Sequence, residues 1–409
     1  LEEVPIYKPL TITDLLRKRD FRYQYFIKKS TIQKVFRLIK QSSQPLLYLG
    51  GGTIRSKCSK LLKRFIEYFD IPLTTTLMAK GIMDEEHQLS LGMLGMHGTA
   101  YANFAVSETD LLICMGARFD DRVTGKLDEF AVHAEIIHID IDPAEIGKNK
   151  IPQIPIIGDV KKILLEILKE KKFRNREKNQ FLYWNQRINR WKKIYPLDFY
   201  SSEDSIIPQN AISMIGKFFP NSIFATDVGQ HQMWSAQFLN CLPNCWISSA
   251  GLGTMGFGFP AAIGSYFSNS PENDTEIICI TGDSSFQMCI QELGTLKQYE
   301  IPVKVFIINN KWQGMVRQWQ QSFYGKRYSH SSMEEGMPDF ELLANSYGIK
   351  GYTAKKTIEL EKILNLIKTH DSKEAVITNI FVENEENCYP MVAPGKSNSQ
   401  MLGISRTSL

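Results

Sequence analysis

The chain has 409 residues, an apolar fraction of 43%, a charged fraction of 22% and a formal charge of +4, the profile of a globular protein with room for two ordinary domains. The positive excess is spread along the chain and forms no basic stripe that would mark a nucleic-acid partner. The longest apolar runs fall well short of the roughly 20 residues needed to span a bilayer, which argues against a membrane protein. Seven cysteines are scattered; Cys241 and Cys245 have no second pair at zinc spacing, so they read as buried thiols in a reducing compartment.

The chain opens on "LEEVPIYKPL" without a signal peptide. Residues 1–30 read as a linker following a domain upstream, so the sequence looks like the downstream part of a longer protein. Residues 31–170 alternate short apolar strands with amphipathic helices, the pattern of a doubly wound parallel sheet. Four strands are predicted there: "PLLYLGGG" (45–52), "IPLTTT" (71–76), "TDLLICMGAR" (109–118) and "AEIIHIDID" (134–142). Between the first two runs a helix with Leu61, Leu62, Phe65, Ile66 and Phe69 on one face. Residues 171–205 are charged, rich in Lys, Arg and Trp, and read as a helical or irregular connector. Residues 206–385 repeat the first pattern, with strands in "SIFATDVG" (222–229), "EIICITGD" (276–283), "VKVFIINN" (303–310) and "EAVITNIFV" (374–382). The remainder, 386–409, is a tail whose last part, from 396, is Ser-rich and weakly structured. The fold class is therefore α/β, with two doubly wound parallel-sheet domains. Ligands of such sheets sit outside the carboxyl ends of the strands, so the sequence predicts two cofactor-sized sites.

In the second block Gly282-Asp283 and Asn309-Asn310 end two consecutive buried strands, with 26 residues between Asp283 and Asn310. One strand and one helix, from about 286 to 299, fill that gap. The spacing puts a carboxylate and an amide oxygen on neighbouring strand ends, a pairing suited to a hard cation such as Mg²⁺ that keeps phosphate oxygens in its remaining positions. Gly282 allows backbone approach to a phosphate, and the following helix N-terminus favours negative charge. The alternative is structural: Asp283 as a helix N-cap and the paired Asn as a turn. In the first block Gly50-Gly51-Gly52 permits close backbone approach to a ligand but lacks the full dinucleotide spacing. Asp140 could accept a hydrogen bond from a ribose hydroxyl.

The motif "GDSSF" followed by "NN" resembles that of the thiamine-diphosphate decarboxylases and synthases. "DVGQHQMWSAQF" (227–238), "SSAGLGTMGFGFPAAIG" (248–264), "QELGT" (291–295) and "QGMVRQWQQSFYGKRYS" (313–329) narrow the likeness to the acetohydroxyacid (acetolactate) synthases. So do "LGMHGTAYAN" (94–103), "GARFDDRVTGK" (116–126) and "IHIDIDPAEIGKN" (137–149). The resemblance runs from about residue 31 to 395. One departure is Ser284, where the family usually has Gly; a small side chain is tolerated there if φ stays negative.

The resemblance implies Mg²⁺ ligated by Asp283, Asn310 and the backbone carbonyl of Trp312. It implies Gln230 and His231 at the diphosphate, with Gly282, Ser284, Ser285 and Gly314 around it. Gly253 and Met255 would line the aminopyrimidine side, and Met315 would hold the coenzyme bent. It implies FAD, largely structural, at Gly51, Gly52, Thr76, Leu77, Gly95, Met96, His97, Gly116, Arg118, Asp120, Val123, Asp140, Ile141 and Asp159. Arg122, oriented by Asp121, would clamp the carboxylate of the second 2-oxo acid, and Trp319 would shape the acceptor pocket in favour of 2-oxobutyrate. The family's coenzyme-activating glutamate lies in an N-terminal pyrimidine-binding domain, expected upstream of this sequence, so the 409 residues alone are expected to be inactive.

The implied reaction decarboxylates pyruvate on thiamine diphosphate and transfers the hydroxyethyl unit to a second pyruvate or to 2-oxobutyrate, the first step toward branched-chain amino acids. A pyruvate oxidase, a glyoxylate carboligase or a non-catalytic cofactor-binding subunit are the alternatives. The implied assembly is a homodimer or tetramer, with a possible small regulatory subunit. Heavy use of Lys, Ile and Asn fits an AT-rich genome, that of a plastid (chloroplast) or a low-GC bacterium with the protein in its cytoplasm.

Overall fold

A computed structural model describes residues 27–170, 179–268, 275–371 and 373–404. Two six-stranded sheets account for most of its strands. The first comprises β1 (Pro45–Leu49), β2 (Leu73–Thr75), β3 (Ser90–Met93), β4 (Leu111–Met115), β5 (Glu135–Asp140) and β6 (Ile154–Ile157), in the order β3-β2-β1-β4-β5-β6. The second comprises β7 (Ile223–Thr226), β8 (Trp246–Ser248), β9 (Ile277–Gly282), β10 (Val303–Asn309), β11 (Lys350–Ala354) and β12 (Val376–Phe381), in the order β11-β12-β10-β9-β7-β8. Every pairing in both sheets is parallel.

The central strands are buried on both faces, which is why they read as unbroken apolar runs. Leu46 to Leu49, Leu111 to Met115, Ile277 to Ile280 and Val305 to Ile308 are all buried. The helix Ser59–Phe69 buries Leu62, Phe65, Ile66 and Phe69 against the first sheet, on the face expected from their spacing. Each sheet reverses its strand order near the middle, between β1 and β4 and between β7 and β9. Those two reversals open crevices at the carboxyl ends of the strands.

The eight predicted strands all form, and four more join them: β3, β6, β8 and β11. These four are the sheet edges. The helix expected from about 286 to 299 is in fact two, Asp283–Gln287 and Glu292–Gln298. The first starts at Asp283 itself, with Gly282 as its N-cap.

In the connector the helix Leu182–Ile194 packs on the first domain, burying Trp184 and Ile188 in its core. Trp184 Nε1 donates to the Pro45 carbonyl at 3.0 Å; residues 171–178 lie outside the described set. Through residue 404 the tail is more ordered than its Ser-rich composition implies; residues 405–409 lie outside the described set. β13 (Met391–Val392) and β14 (Met401–Leu402) form an antiparallel pair. Ser397 and Asn398 are buried, and Asn398 Nδ2 donates to the Val123 carbonyl at 2.9 Å. The tail thus returns to the first domain, where Val392 N–H donates to the Met96 carbonyl at 2.8 Å.

Candidate functional site

The β9–β10 pairing places Ile308 opposite Gly282, so the residues just beyond each strand emerge side by side. Asp283 is buried, and its Oδ1 accepts from Ser284 N–H at 2.6 Å while its Oδ2 accepts from Lys311 N–H at 2.7 Å. Asn310 Oδ1 accepts from Trp312 N–H at 3.0 Å. The carboxylate and the amide oxygen therefore accept from successive backbone N–H groups of one turn, Asn310–Trp312. That turn is held by an isolated antiparallel bridge between Trp312 and Ser332 and by Arg317, whose guanidinium lies 5.6 Å from the Trp312 ring. Burial pushes the Asp283 carboxyl up to about 6. The backbone N–H groups of Ser284, Lys311 and Trp312 and the Ser284 hydroxyl do not fully offset the loss of water.

Ser284 lies within the helix Asp283–Gln287 and is not among the residues of positive φ. The serine in place of glycine is accommodated without backbone strain, and its Oγ stands 3.3 Å from Asp283 Oδ1. Ser285 Oγ donates to the Val228 carbonyl at 3.0 Å, tying this helix to the end of β7.

His231 is buried, with its ring across the Cα atoms of Gly229 and Gly282; a Cβ on Gly282 would fall 2.9 Å from the imidazole. Its Nε2 is buried without a partner, and burial pushes its pKa down to about 4, so the ring is neutral. The Gln230 side chain is engaged within the protein. Its Nε2 donates to Gln318 Oε1 at 3.0 Å and to the Glu386 carbonyl at 3.1 Å, and its Oε1 accepts from Asn310 Nδ2 at 3.2 Å. Both side-chain amide hydrogens are used inside the protein, so a phosphate oxygen could meet only the backbone N–H of Gln230, at the first position of the helix Gln230–Phe238. Gly314 opens the helix Gly314–Phe323 against this network; a Cβ there would stand 2.0 Å from Gln230 Oε1.

The loop after β8 is pinned by Asp227, a residue with no role among the sequence expectations. Asp227 Oδ1 accepts from Gly256 N–H at 2.8 Å and its Oδ2 from Gly258 N–H at 3.0 Å. Gly253 has a φ of +64° and lies exposed beside half-buried Met255. Met315 packs against the second domain's core, and Trp319 stacks edge-on against Phe323 on the same helix. Gln318 is fully buried, and a lone Gln in a polar helix carries no sequence signal of burial.

In the first domain the expected residues fall at the carboxyl ends of all six strands. Gly51 and Gly52 follow β1, Thr76 and Leu77 follow β2, Gly95, Met96 and His97 follow β3. Gly116, Arg118, Asp120, Arg122 and Val123 follow β4, Asp140 ends β5 before Ile141, and Asp159 follows β6. Together they form a strip across the sheet. The glycines also serve the protein itself: a Cβ on Gly52 would lie 2.7 Å from Gly116 Cα. Gly95 adopts a φ of +99°, held by Asn103 Oδ1 accepting from its N–H at 2.8 Å. Burial raises the Asp140 carboxyl, although its Oδ1 accepts from Asp142 N–H at 2.9 Å. Asp159 caps the helix Val160–Lys169. Arg122 is exposed; the carboxylate that engages it is that of Asp120, which accepts from its backbone N–H at 3.2 Å and pairs with Arg118 at 2.6 Å.

The family description "Thiamine pyrophosphate enzyme, central domain" matches residues 32–167, and "Thiamine pyrophosphate enzyme, C-terminal TPP binding domain" matches residues 227–378. The acetolactate synthase large subunit of Pyropia yezoensis is 56% identical over 381 residues, 93% of this chain and 64% of that protein. That of Cyanidium caldarium is 56% identical over 378 residues, 92% of this chain and 64% of the relative. That of Parasynechococcus marenigrum is 52% identical over 367 residues, covering 90% of this chain and 58% of the relative. The chain thus spans less than two thirds of the length of these relatives.

Proposed function

The chain belongs to the thiamine pyrophosphate enzymes and is homologous to acetolactate synthase large subunits, and from that premise we propose that it acts in acetolactate synthesis. The substrates are pyruvate and a second 2-oxo acid, pyruvate or 2-oxobutyrate. Thiamine diphosphate, when bound, supplies the carbanion chemistry that decarboxylation of a 2-oxo acid requires; this chain's residues bind, orient and exclude water.

Asp283, Asn310 and the Trp312 carbonyl are the proposed Mg²⁺ ligands. The donor set suits a hard cation that also takes phosphate oxygens. Among the described residues no group of three His, Cys, Asp or Glu could hold a metal, so a mixed carboxylate, amide and carbonyl site is the chemistry on offer. A buried carboxyl reluctant to ionise is one that a bound cation would hold as a carboxylate. The unpartnered Nε2 of His231 would meet the diphosphate, next to Gly282. Met255, Gly253 and Met315 line the remaining side.

The first-domain strip would hold FAD. Arg122, exposed at the end of the short helix Asp121–Thr124, would take the acceptor carboxylate, and Trp319 would bound its pocket. A homo-oligomer and a regulatory partner complete the proposal. Plastid encoding is supported by the AT-driven composition and by the likeness to the proteins of Pyropia and Cyanidium. Among the described residues no helix is long and apolar enough to cross a membrane.

The observation that carries this reading is the meeting of Asp283 and Asn310 around one turn beside a buried, unpartnered histidine nitrogen. The test is to titrate the protein with thiamine diphosphate and Mg²⁺, then to analyse the products of the full-length protein from mixed pyruvate and 2-oxobutyrate. Saturable, Mg²⁺-dependent coenzyme binding and 2-acetolactate with 2-aceto-2-hydroxybutyrate are expected. Acetate as the product, or no coenzyme binding, would overturn it.

A further inference from the structure

Three buried side-chain amides, Gln318, Gln230 and Asn310, form one continuous chain behind the proposed cation site. Gln318 Oε1 accepts from Cys388 N–H at 2.8 Å while its Nε2 donates to the Cys388 carbonyl at 3.1 Å. A backbone N–H can only donate and a carbonyl can only accept, so this side-chain amide has one permitted orientation. Gln318 Oε1 therefore faces Gln230 as an acceptor and receives its Nε2 at 3.0 Å. The second hydrogen of that nitrogen goes to the Glu386 carbonyl at 3.1 Å. Gln230 must then present Oε1 to Asn310, whose Nδ2 donates to it at 3.2 Å. The Asn310 oxygen is left on the opposite side, toward Trp312 N–H at 3.0 Å. The two backbone anchors, Cys388 at one end and Trp312 at the other, impose the same polarity on the chain.

We infer that Gln230 and Gln318 are positioning residues: they hold Asn310 with its oxygen, not its nitrogen, toward the metal, on instruction from the backbone of Glu386–Cys388. An asparagine turned over would present N–H₂ to a cation, so a free amide would divide its population between a ligand and a repulsive group. Donor counting leaves the Gln230 side chain no hydrogen for a phosphate oxygen, since both its amide hydrogens are already given away. Cys388 Sγ donates to the Gln230 carbonyl at 3.5 Å, binding the same segment to the same helix. The inference deepens the proposed function and rests on Asn310 being a ligand.

The test is a cycle in the full chain, with Mg²⁺ affinity at saturating thiamine diphosphate read from tryptophan fluorescence, since Trp312 adjoins the site. Gln318→Met keeps the side chain's length and removes its amide. It is expected to weaken Mg²⁺ binding about 10- to 100-fold, the cost of removing an outer-shell partner of a metal ligand. In an Asn310→Asp background the same change should cost under about threefold, because a carboxylate offers an oxygen whichever way it turns. A purely structural Gln318 would lose affinity equally in both backgrounds, and that result overturns the inference. So does an unchanged affinity, or loss of Mg²⁺ in Asn310→Asp itself. Should near-UV circular dichroism show Gln318→Met unfolded, Gln230→Met takes its place in the cycle under the same criteria. A parent chain that binds no Mg²⁺ with the coenzyme defeats the cofactor reading, and the relay with it; a parent that binds while the variants do not differ defeats the relay alone.

Discussion

Asp283 accepts a hydrogen bond from the backbone N–H of Lys311 at 2.7 Å. The bond joins the first residue of the helix after β9 to the turn after β10, and it closes the proposed metal site on one side. The carboxylate is the only charged member of the proposed ligand set. Outer-shell changes cost about 10- to 100-fold in metal affinity, so Asp283→Ala should cost more than about 100-fold. Isothermal titration with Mg²⁺ and thiamine diphosphate measures it; an affinity within tenfold of the parent would remove Asp283 from the site.

Gly314→Ala separates helix propensity from space. Alanine in the first turn would favour the helix by up to about 1 kcal/mol. Its Cβ, however, would sit 2.0 Å from Gln230 Oε1 and 2.6 Å from Asn310 Nδ2. Overlap wins: relieving it means displacing the amide chain, at about 1–3 kcal/mol. Thermal unfolding should show a lower Tm together with weaker Mg²⁺ binding. A raised Tm would mean that the space is there after all.

The site was legible where chemistry and burial coincide. Asp283 and Asn310 follow long, wholly apolar strands, so the breaks at their ends stand out in the sequence. The strands that escaped reading, β3, β6, β8 and β11, are edges covered on fewer sides. β6 is "IPII" with alternating burial and an internal proline at 155, which only an edge strand admits. β3 and β11 each contain a glycine, Gly92 and Gly351, and only Ala354 of β11 is fully buried. The break in the helix after Gln287 has no proline or glycine to announce it. The order of the tail comes from contacts about 275 residues away in sequence, such as Asn398 on Val123, and such pairings leave no local pattern.

Acid should weaken the first domain through His97. Burial, with the neighbouring Arg122 charge, pushes its pKa down to about 4 from an ordinary 6.5. The unfolded chain therefore binds a proton between pH 6.5 and 4 that the folded chain refuses, so stability falls as pH drops through that window. A lowering of this size corresponds to about 3 kcal/mol at the acid end. In His97→Gln that part of the pH dependence should vanish. Urea unfolding at pH 7 and pH 4 measures the difference, and parallel losses in parent and variant would exclude His97 as its source.

Arg122 offers a cleaner separation of binding from folding. Its side chain is exposed, and no ion pair with Asp121 forms among the described residues, so removing it should leave stability within about 0.5 kcal/mol. If the guanidinium takes the acceptor carboxylate, Arg122→Ala loses a charge-assisted, two-pronged contact. A hydrogen bond to a charged group contributes about 1.5–3 kcal/mol, which is about 10- to 150-fold in apparent affinity. Arg122→Lys keeps the charge but not the planar fork, and should recover only part of it. In the full-length protein the defect should appear in the concentration dependence on the second 2-oxo acid, while Mg²⁺ and thiamine diphosphate bind as in the parent. Trp319→Leu, by contrast, should shift the ratio of 2-aceto-2-hydroxybutyrate to 2-acetolactate. Trp319 packs against Phe323 at 5.2 Å between ring centres, and if it bounds the acceptor pocket as proposed, shortening it would enlarge that pocket without touching a charge. Equal effects of Arg122→Ala on coenzyme binding and on acceptor use would place Arg122 in the cofactor's grip instead, and leave the acceptor clamp to another residue.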